Sequence, residues 1–277
     1  MRPILFAIVA AAMIPRAAVA QPNAPTVART DVIYGRVEGS ALLANLAYPD
    51  GPALKPAIIS VHGGRWSAGN RADASSINVG QWAEYGFVAM SIDYRLVGGS
   101  PAPAPYLDLL CAIRWLHAHA DEYRVDPDRV YLIGQSAGGH LVSLFATLGE
   151  GGHPRVGGWD KARTDVRAVI SVAAPYELNT LSWGNLWTPI GANVEEARRL
   201  ASPIAHVSAT TKPLLVIHSD DDKSVPVQQA IDMVAKLKAA GVQHRFVHYT
   251  DRGHMGITEE VIKEARAFIA EVEPTKS

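Results

Sequence analysis

Ser136 has the sequence surroundings of a catalytic nucleophile. It is the central residue of Gly134-Gln135-Ser136-Ala137-Gly138, which follows a short apolar run from Val130 to Ile133. A serine on a sharp turn between a strand and a helix has a strained backbone, and the turn needs small residues two positions before and after it. Both are glycine here. Apolar residues then recur at the spacing of a helix, at Leu141, Leu144, Phe145 and Leu148. We predict that the Ser136 hydroxyl projects above a sheet edge, where it can attack an electrophilic carbon.

An activated serine needs a general base and a carboxylate that orients the base. For a serine on this kind of turn, the expected chain order is serine, then aspartate or glutamate, then histidine. The apolar run Leu214 to Ile217 leads into an acidic loop, Asp220 to Asp222, and a glycine-flanked loop further on contains His254. Loops that follow parallel strands lie at one edge of a sheet. His254 is therefore the predicted base, and the spacing leaves open which of the three aspartates orients it.

Other histidines compete for the role of base, because the chain has ten. His218 is the main rival, since it ends a strand directly before the acidic loop, and we expect it to shape that loop instead. His140 lies at the start of the predicted helix after Ser136, where its ring packs or caps. We favour His254 over both, because it is flanked by glycine on a loop at the correct sheet edge.

A glycine-rich loop upstream suits the stabilisation of a negatively charged oxygen. The run Ala57 to Val61 is followed by His62-Gly63-Gly64-Arg65-Trp66. Glycines here let backbone N–H groups turn toward a substrate oxygen, together with the N–H of Ala137 directly after the nucleophile. We expect His62 to shape this loop through hydrogen bonds rather than to exchange protons.

The elements that carry these residues alternate between strands and helices. Continuous apolar strands separated by helices indicate a mostly parallel sheet of about eight strands with helices on both faces. An antiparallel hairpin is predicted at the N-terminal end, from Asp31 to Tyr48. The other predicted strands are Ala57 to Val61, Phe87 to Ile92, Val130 to Ile133, Val166 to Val172, Leu214 to Ile217 and Arg245 to Tyr249. The predicted helices lie near Ser75–Tyr85, near Tyr106–His119, after Ser136, around Val227–Ala240 and around Ile257–Ala270.

The first twenty residues have the pattern of a secretory signal peptide. Arg2 precedes an apolar run from Ile4 to Ile14, and Ala18-Val19-Ala20 fits a cleavage site. An uncleaved N-terminal anchor is the alternative. Cleavage of the 277-residue chain after residue 20 would leave residues 21–277, which we expect to form a single exported domain with no membrane span.

Composition excludes several classes of partner. Without Arg2 and Arg16 of the leader, the 26 basic residues become 24 against 27 acidic ones, a net charge of −3. This balance argues against nucleic acid or an anionic membrane surface as a partner. Cys111 is the only cysteine and lies in a helical apolar pattern, so we interpret it as a core residue. We find no metal-ligand spacing and no phosphate loop, and we expect no cofactor.

Residues 174–213 form a long connection between two predicted strands. The segment includes Trp183 and Trp187 in a setting rich in Gly, Asn and Ser. A small cap over the active site is typical of such a segment, and a loop packed on the scaffold is the alternative. With Trp66, these tryptophans suggest an apolar or aromatic wall for the substrate, although a packed core uses the same residues.

The chain resembles the bacterial α/β-hydrolase esterase/lipase family that has an HGGxW oxyanion motif, a relative of the hormone-sensitive-lipase-like esterases. The resemblance rests on His62–Trp66, Ser91–Leu96, Ala112–Leu116, Gly134–His140, Ser202–Ile204 and Asp222–Pro226. It implies an α/β-hydrolase fold with Ser136 as nucleophile, Asp222 as the acid and His254 as the base. It also implies that the backbone N–H groups of Gly64, Arg65 and Ala137 bind the oxyanion.

Two departures from the pattern concern the shape of the site. Arg65 replaces a third glycine found in the hormone-sensitive-lipase branch, and we expect its N–H geometry and bulky side chain to narrow the acyl site. The short segment before His62 reads as strands, so the N-terminal helical cap of that branch is not expected. A more open site for short acyl groups or an extended polymer follows.

The sequence therefore predicts a serine carboxylic ester hydrolase that works through an acyl-enzyme. Its expected substrate is a short-chain, aryl or polysaccharide-linked acyl ester, and its oligomeric state is left open. An aryl-formamidase, amidase or peptidase on the same scaffold is the first alternative. A binding protein that kept the fold and lost the reaction is the second.

Overall fold

A computed structural model describes residues 25–187, 189, 191 and 193–273. The predicted leader, residues 1–20, lies outside the described residues. Eight strands of the described part form one sheet. They are β1 (Thr26–Val37), β2 (Ser40–Pro49), β3 (Lys55–Val61), β4 (Val88–Ile92), β5 (Val125–Gln135), β6 (Ala168–Val172), β7 (Leu214–Ser219) and β8 (His244–Tyr249).

The sheet has the order β1-β2-β4-β3-β5-β6-β7-β8. Strand β2 pairs antiparallel with β1 and with β4, and all the other neighbours are parallel. The prediction of a mostly parallel sheet with an antiparallel N-terminal hairpin is confirmed. Because β5, β6, β7 and β8 run in the same direction, the loops after them open at one edge of the sheet.

Helices cover both faces, as the alternating pattern predicted. They are α1 (Val79–Glu84), α2 (Ala104–Ala118), α3 (Ala120–Tyr123), α4 (Ala137–Leu148), α5 (Val194–Ala201), α6 (Gln228–Ala239) and α7 (Glu259–Val272). Helices α2, α4 and α6 enclose one apolar core with the sheet, and α1 and α7 enclose a second core on the opposite face. Cys111 is fully buried in the first core, in agreement with its predicted role. No helix of the described residues is long and apolar enough to cross a membrane.

Several elements differ from their predicted bounds, and the structure gives a physical reason for two of them. Helix α1 begins at Val79 rather than near Ser75, because the preceding residues turn back to serve the neighbouring loop and strand. The hydroxyl of Ser75 accepts the N–H of Gly63, and the N–H of Ile77 donates to the Ser60 hydroxyl. Strand β5 begins at Val125, five residues before the predicted start, with a shift of register against β3 between the two. Proline in a strand is tolerated at such an irregularity, and Pro127 lies there.

The described part of segment 174–213 is attached to the scaffold at several points. The side-chain oxygen of Gln229 on α6 accepts the N–H groups of Tyr176 and Glu177, both at 2.7 Å. The Ser202 hydroxyl accepts the N–H of Leu178 at 2.9 Å. The Gln229 contacts hold the start of the segment against α6, and the Ser202 contact ties that start to the residue after α5. The role of the segment as a cap over the site stays a prediction.

Helix α4 packs on the sheet at a distance that only glycine permits. A Cβ atom on Gly138 would lie 2.0 Å from the carbonyl oxygen of Val61 and 2.5 Å from that of His62. A Cβ atom on Gly134 would lie 2.3 Å from the carbonyl oxygen of Gly138. Backbone cannot yield as a flexible side chain can, so these two glycines set the position of the turn between β5 and α4.

We expect Gly138→Ala to lower the free energy of unfolding by about 3 kcal/mol, because the new methyl group must push α4 away from β3. Urea-induced unfolding measures the change. Gly98→Ala is the matched control, since nothing lies within 4 Å of a Cβ atom there. The control should change the free energy of unfolding by no more than about 0.5 kcal/mol. Equal effects of the two substitutions would contradict the close packing of α4.

Candidate active site

Ser136 occupies the turn between β5 and α4 in a strained backbone conformation. Its φ and ψ angles are 52° and −117°, which is unfavourable for a residue with a side chain. The conformation is fixed from two sides, since its N–H donates to the carbonyl of Val172 at 2.8 Å and its carbonyl accepts the N–H of His140 at 2.9 Å. The first turn of α4 lies directly behind the serine. Its positive end favours negative charge developing near Ser136.

Three residues from three loops meet at the sheet edge. The imidazole Nε2 of His254 lies 2.9 Å from the hydroxyl oxygen of Ser136, and its Nδ1 lies 2.8 Å from Oδ2 of Asp222. A carboxylate at Nδ1 favours the tautomer in which Nδ1–H donates and Nε2 is free to accept the serine proton. The structure thus brings together Ser136, His254 and Asp222 at hydrogen-bonding distance.

The Asp222 carboxylate is shielded from solvent and fully hydrogen-bonded. Its Oδ1 accepts the N–H groups of Ser224 and Val225, at 2.8 and 2.9 Å. Burial raises the pKa of this carboxyl group. Hydrogen bonds from His218, His254 and the Val225 N–H outweigh burial and hold the pKa well below its usual range. Asp222 therefore stays negatively charged at any pH at which the enzyme would work.

The neighbouring aspartates have other tasks. Asp220 forms an exposed pair with His248 at 2.6 Å. Asp221 accepts the Ser219 hydroxyl at 2.7 Å and the N–H of Gly253 at 2.7 Å. Asp221 thus ties the acidic loop to the loop that carries His254. The structure separates three adjacent carboxylates that spacing alone could not distinguish.

His218, the predicted rival base, supports the acid instead. It is fully buried, and its Nε2 lies 2.9 Å from the Val225 carbonyl and 3.3 Å from Oδ2 of Asp222. An Nε2–H donor in this place binds the acidic loop together and stabilises the charge of Asp222. Within the described residues, no contact joins the His218 side chain to Ser136.

The loop His62–Trp66, which we call the oxyanion loop, turns sharply after β3. The N–H of Gly63 is already used, because it donates to the Ser75 hydroxyl at 3.0 Å. Gly64 has a φ of 103°, and its carbonyl accepts the N–H groups of Ser67 and Ala68, both at 3.0 Å. Among the described residues, none accepts a hydrogen bond from the N–H of Gly64 or of Arg65. The N–H of Ala137, in the first turn of α4, has no acceptor within its helix. These are the three donors that the resemblance implied.

Tyr94 and His62 hold the oxyanion loop in place. Their rings stack with centroids 4.1 Å apart, and the Tyr94 hydroxyl donates to the carbonyls of His62 and Gly63 at 3.2 Å. Burial lowers the pKa of His62, which keeps its ring neutral. This arrangement matches the expectation that His62 shapes the loop.

Gln135 is a supporting residue that sequence reasoning missed. Its side-chain amide donates to the carbonyl of Met255 at 2.8 Å, and a Cβ atom on Gly63 would lie 2.2 Å from its side-chain oxygen. The side chain therefore contacts both the oxyanion loop and the loop of His254. Its position next to Ser136 was the available signal, but the second position of the G-x-S-x-G motif is variable and predicts no contact.

The three tryptophans predicted as a substrate wall are mostly buried. Trp66 is fully buried, and its ring packs against Trp183 and Trp187 with centroids 5.0 and 5.2 Å away. Their exposed fractions are 7% for Trp183 and 2% for Trp187. The expectation of direct substrate contact is corrected for Trp66, which has no surface to offer. Trp66 lies at the end of the oxyanion loop, and the complete burial of its ring anchors that loop in the aromatic cluster.

His140 fixes the same cluster to helix α4. The ring lies edge-on to Trp66 and Trp187, and its Nε2–H donates to the Ala201 carbonyl at 2.7 Å. Burial lowers the pKa of His140 to about 4, so the ring is neutral at neutral pH. It packs, as predicted, and it links the first turn of α4 to helix α5.

An open pocket leads from solvent to His254. It has a volume of about 470 Å³ and is lined by Arg65, Asp221, Lys223, Ser224, Gly253 and His254. Five of the six lining residues have a polar or charged side chain. A substrate can reach the imidazole from this side while Ser136 itself remains nearly covered, with an exposed fraction of 3%.

The eight-stranded sheet and the Ser-His-Asp arrangement at its carboxyl edge define the class of the protein: it has an α/β-hydrolase fold. Residues 46–237 match the BD-FAE family. Because this match includes most of the chain, the chain belongs to the BD-FAE family.

Several curated relatives of this chain are named as carboxylic ester hydrolases or esterases. The probable carboxylic ester hydrolase LipM of Mycobacterium tuberculosis is 32% identical over 201 residues, which are 68% of this chain and 46% of LipM. The chain spans about half the length of the curated relatives that it matches.

Solved structures agree with the fold. A truncated carbohydrate esterase from gut microbiota has a TM-score of 0.73 and 26% identity, and the match covers 88% of this chain and 95% of that one. Thermogutta terrifontis esterase 2, phosphonylated by sarin, has a TM-score of 0.76 and 22% identity over 94% of this chain and 100% of that chain. The second likeness shows the fold alone.

Asp222 should stabilise the fold in a pH-dependent manner. Its pKa is lower in the folded state than the value of about 4 in an unfolded chain. The stabilisation is therefore complete above the unfolded-state pKa and is lost as the pH falls toward the folded-state pKa. We expect the difference in free energy of unfolding between wild type and Asp222→Asn to be largest above about pH 5 and to shrink toward about pH 3.

Urea-induced unfolding at a series of pH values measures this difference. Asp160→Asn is the control, because Asp160 is exposed. The control should give a difference that stays near zero over the whole range. A difference for Asp222→Asn that grows on acidification would contradict the lowered pKa.

Proposed function

We propose that the protein is a serine hydrolase that cleaves carboxylic esters through an acyl-enzyme intermediate. The observation that carries the proposal is the continuous hydrogen-bonded chain from Ser136 through His254 to Asp222, with distances of 2.9 and 2.8 Å. Distances in this range permit direct proton transfer from the hydroxyl to the imidazole.

In the first half of the reaction, the Ser136 oxygen attacks the ester carbonyl carbon while Nε2 of His254 takes the hydroxyl proton. The imidazolium that forms is stabilised by the Asp222 carboxylate. It then donates its proton to the oxygen of the leaving alcohol, and the C–O bond of the ester breaks. The acyl group is left on Ser136.

In the second half, a water molecule replaces the alcohol. His254 removes a proton from the water as the water oxygen attacks the acyl carbon, and then returns a proton to the Ser136 oxygen as the acid leaves. In both halves the negative charge falls on the former carbonyl oxygen. The N–H groups of Gly64, Arg65 and Ala137 are suited to bind that oxygen, and one such donor contributes about 3–4 kcal/mol to the transition state.

The comparisons support an ester as the substrate. LipM is named a carboxylic ester hydrolase, and the gut-microbial structure is named a carbohydrate esterase. An open pocket whose lining residues are mostly charged or polar suits an alcohol that belongs to a sugar or another hydrophilic group better than a long lipid chain. We therefore place short-chain acyl esters of hydrophilic or aryl alcohols first among the substrates.

Ser136→Ala should lower kcat for a p-nitrophenyl ester by a factor of about 10⁴ or more, because it removes the nucleophile. The unfolding midpoint should stay close to that of wild type, which shows that the fold is kept. A variant that retains a tenth of the wild-type activity would exclude Ser136 as the nucleophile.

Two further assays in the same experiment separate the alternatives. The anilide that matches the ester distinguishes an esterase from an amidase, and faster turnover of the anilide would contradict our proposal. A fluorophosphonate probe should label the wild-type protein and leave Ser136→Ala unlabelled. A wild-type protein that neither reacts with the probe nor hydrolyses the ester would favour a binding role.

We also propose that residues 1–20 direct export and are removed. The support is the sequence pattern alone: Arg2, the apolar run and the small residues up to Ala20. Expression of the whole chain in a bacterium with a periplasm should yield a protein whose first residue is Gln21. N-terminal sequencing measures this. Ala18→Leu with Ala20→Leu should block cleavage, and a wild-type chain that keeps residue 1 in the exported fraction would contradict the proposal.

A further inference from the structure

Two cationic side chains stand at the mouth of the active site without a carboxylate partner. Arg65 and Lys223 line the pocket that contains His254, and both are exposed. They come from different loops, since Arg65 follows β3 and Lys223 follows β7. In the part of the chain that the structure describes, neither of them forms an ion pair.

The carboxylates on the surrounding loops are already engaged. Asp220 pairs with His248 at 2.6 Å, and Asp251 pairs with Arg252 at 2.6 Å. Asp221 also lines the pocket, where it accepts hydrogen bonds from Ser219 and Gly253. The pocket therefore holds two cations against one carboxylate, and that carboxylate already accepts hydrogen bonds from its own loop and from the loop of His254.

The buried Trp183 contacts the Arg65 side chain and the backbone next to Lys223. The guanidinium carbon of Arg65 lies 5.6 Å from the centre of the Trp183 ring, a cation–π distance. The indole N–H of Trp183 donates to the carbonyl of Ser224 at 3.0 Å, directly beside Lys223. One rigid ring thus connects the oxyanion loop with the acidic loop. The Arg65 side chain, which packs on this ring, loses less entropy when it binds a ligand.

The backbone of Arg65 adds a second indication. Its φ of 53° lies in the left-handed region, where glycine has no cost and a residue with a Cβ atom does. Backbone strain of this kind clusters at active sites and ligand-binding positions. Since the backbone N–H alone would be served at least as well by glycine, the arginine side chain is the part that needs an explanation.

We propose that Arg65 and Lys223 form a subsite for a carboxylate carried by the alcohol portion of the ester. This inference rests on the proposed esterase function. His254 must donate a proton to the leaving oxygen, so the alcohol lies on the His254 side of Ser136, where this pocket opens. A planar guanidinium and an ammonium group suit a carboxylate, which they bind through charge-assisted hydrogen bonds. A uronic acid or a phenolic acid would supply the same group.

The first test compares 4-acetoxybenzoate with the neutral 4-acetoxybenzamide. Each rate is divided by the rate of hydroxide-catalysed hydrolysis, because the two phenols differ as leaving groups. We expect the normalised kcat/KM of wild type to favour the anion by about tenfold at low salt, and to approach parity at about 0.5 M salt, where exposed charges are screened. A second comparison distinguishes a sugar acid from a phenolic acid as the source of the carboxylate. It measures kcat/KM for the O-acetylated methyl glycoside of glucuronic acid, with its carboxylate free, and for the O-acetylated methyl glycoside of glucose.

Substitutions assign the preference to the two side chains. Arg65→Gln and Lys223→Gln should each lower the ratio of anionic to neutral kcat/KM by about threefold, and the double variant should bring it near one. The ratio is the readout because Arg65→Gln also affects the oxyanion loop. Lys238→Gln is the control: Lys238 is exposed at the end of α6, at the opposite edge of the sheet, and its substitution should leave the ratio unchanged.

The outcomes separate this inference from the proposed function. Two results would refute the subsite and leave the esterase proposal standing. In both, wild type hydrolyses the neutral ester, and it shows either no preference for the anion or a preference that Arg65→Gln and Lys223→Gln do not reduce. If wild type hydrolyses neither ester, the proposed function fails first. Phenyl hydrogen succinate against phenyl butyrate tests the other side of the scissile bond. A larger, substitution-sensitive preference there would overturn the placement on the alcohol.

Discussion

The hydrogen bond between His254 and Ser136 joins residues that lie 118 positions apart in the chain. It forms only if two loops, each at the end of a different parallel strand, hold their side chains to within a few tenths of an ångström. Neither loop can do this alone, because a loop of a few residues has many conformations of similar energy. The rest of the architecture serves this one contact.

Side-chain hydrogen bonds fix the loops to one another. Gln135, next to Ser136, donates a hydrogen bond to the carbonyl of Met255, next to His254. Asp221, next to Asp222, accepts the N–H of Gly253, on the other side of His254. His254 is therefore held at both of its neighbours, once from the serine turn and once from the acidic loop. This explains why the imidazole can be partly exposed and still be positioned for proton transfer.

Strain at the serine turn is balanced by tight packing behind it. Ser136 keeps an unfavourable backbone conformation because α4 lies against β3 at the distance set by Gly138, and because its N–H is bound to β6. A looser scaffold would let the turn relax and withdraw the hydroxyl. The two apolar cores on either face of the sheet supply that rigidity.

The charges of the site are divided between a closed side and an open side. Asp222 is covered, and its hydrogen bonds are all satisfied, so its charge acts on His254 with little screening by water. Arg65 and Lys223 face solvent and act on whatever enters the pocket. A buried carboxylate thus orients His254, while the two cations lie on the open side of the pocket.

Apolar periodicity and glycine spacing are local properties of a chain. The sequence alone therefore predicted the alternation of strands and helices, the turn at Ser136 and the loop that carries His254. It left Asp220, Asp221 and Asp222 equivalent, until the resemblance to a family singled out the last of them. It also missed Gln135, and it left open whether Trp66 forms a wall for the substrate or part of a packed core. The roles of Gln135 and Trp66 became visible only in the folded structure, because each depends on which distant segment lies opposite a side chain. Burial and hydrogen-bond partners arise only when strands far apart in sequence become neighbours in the sheet.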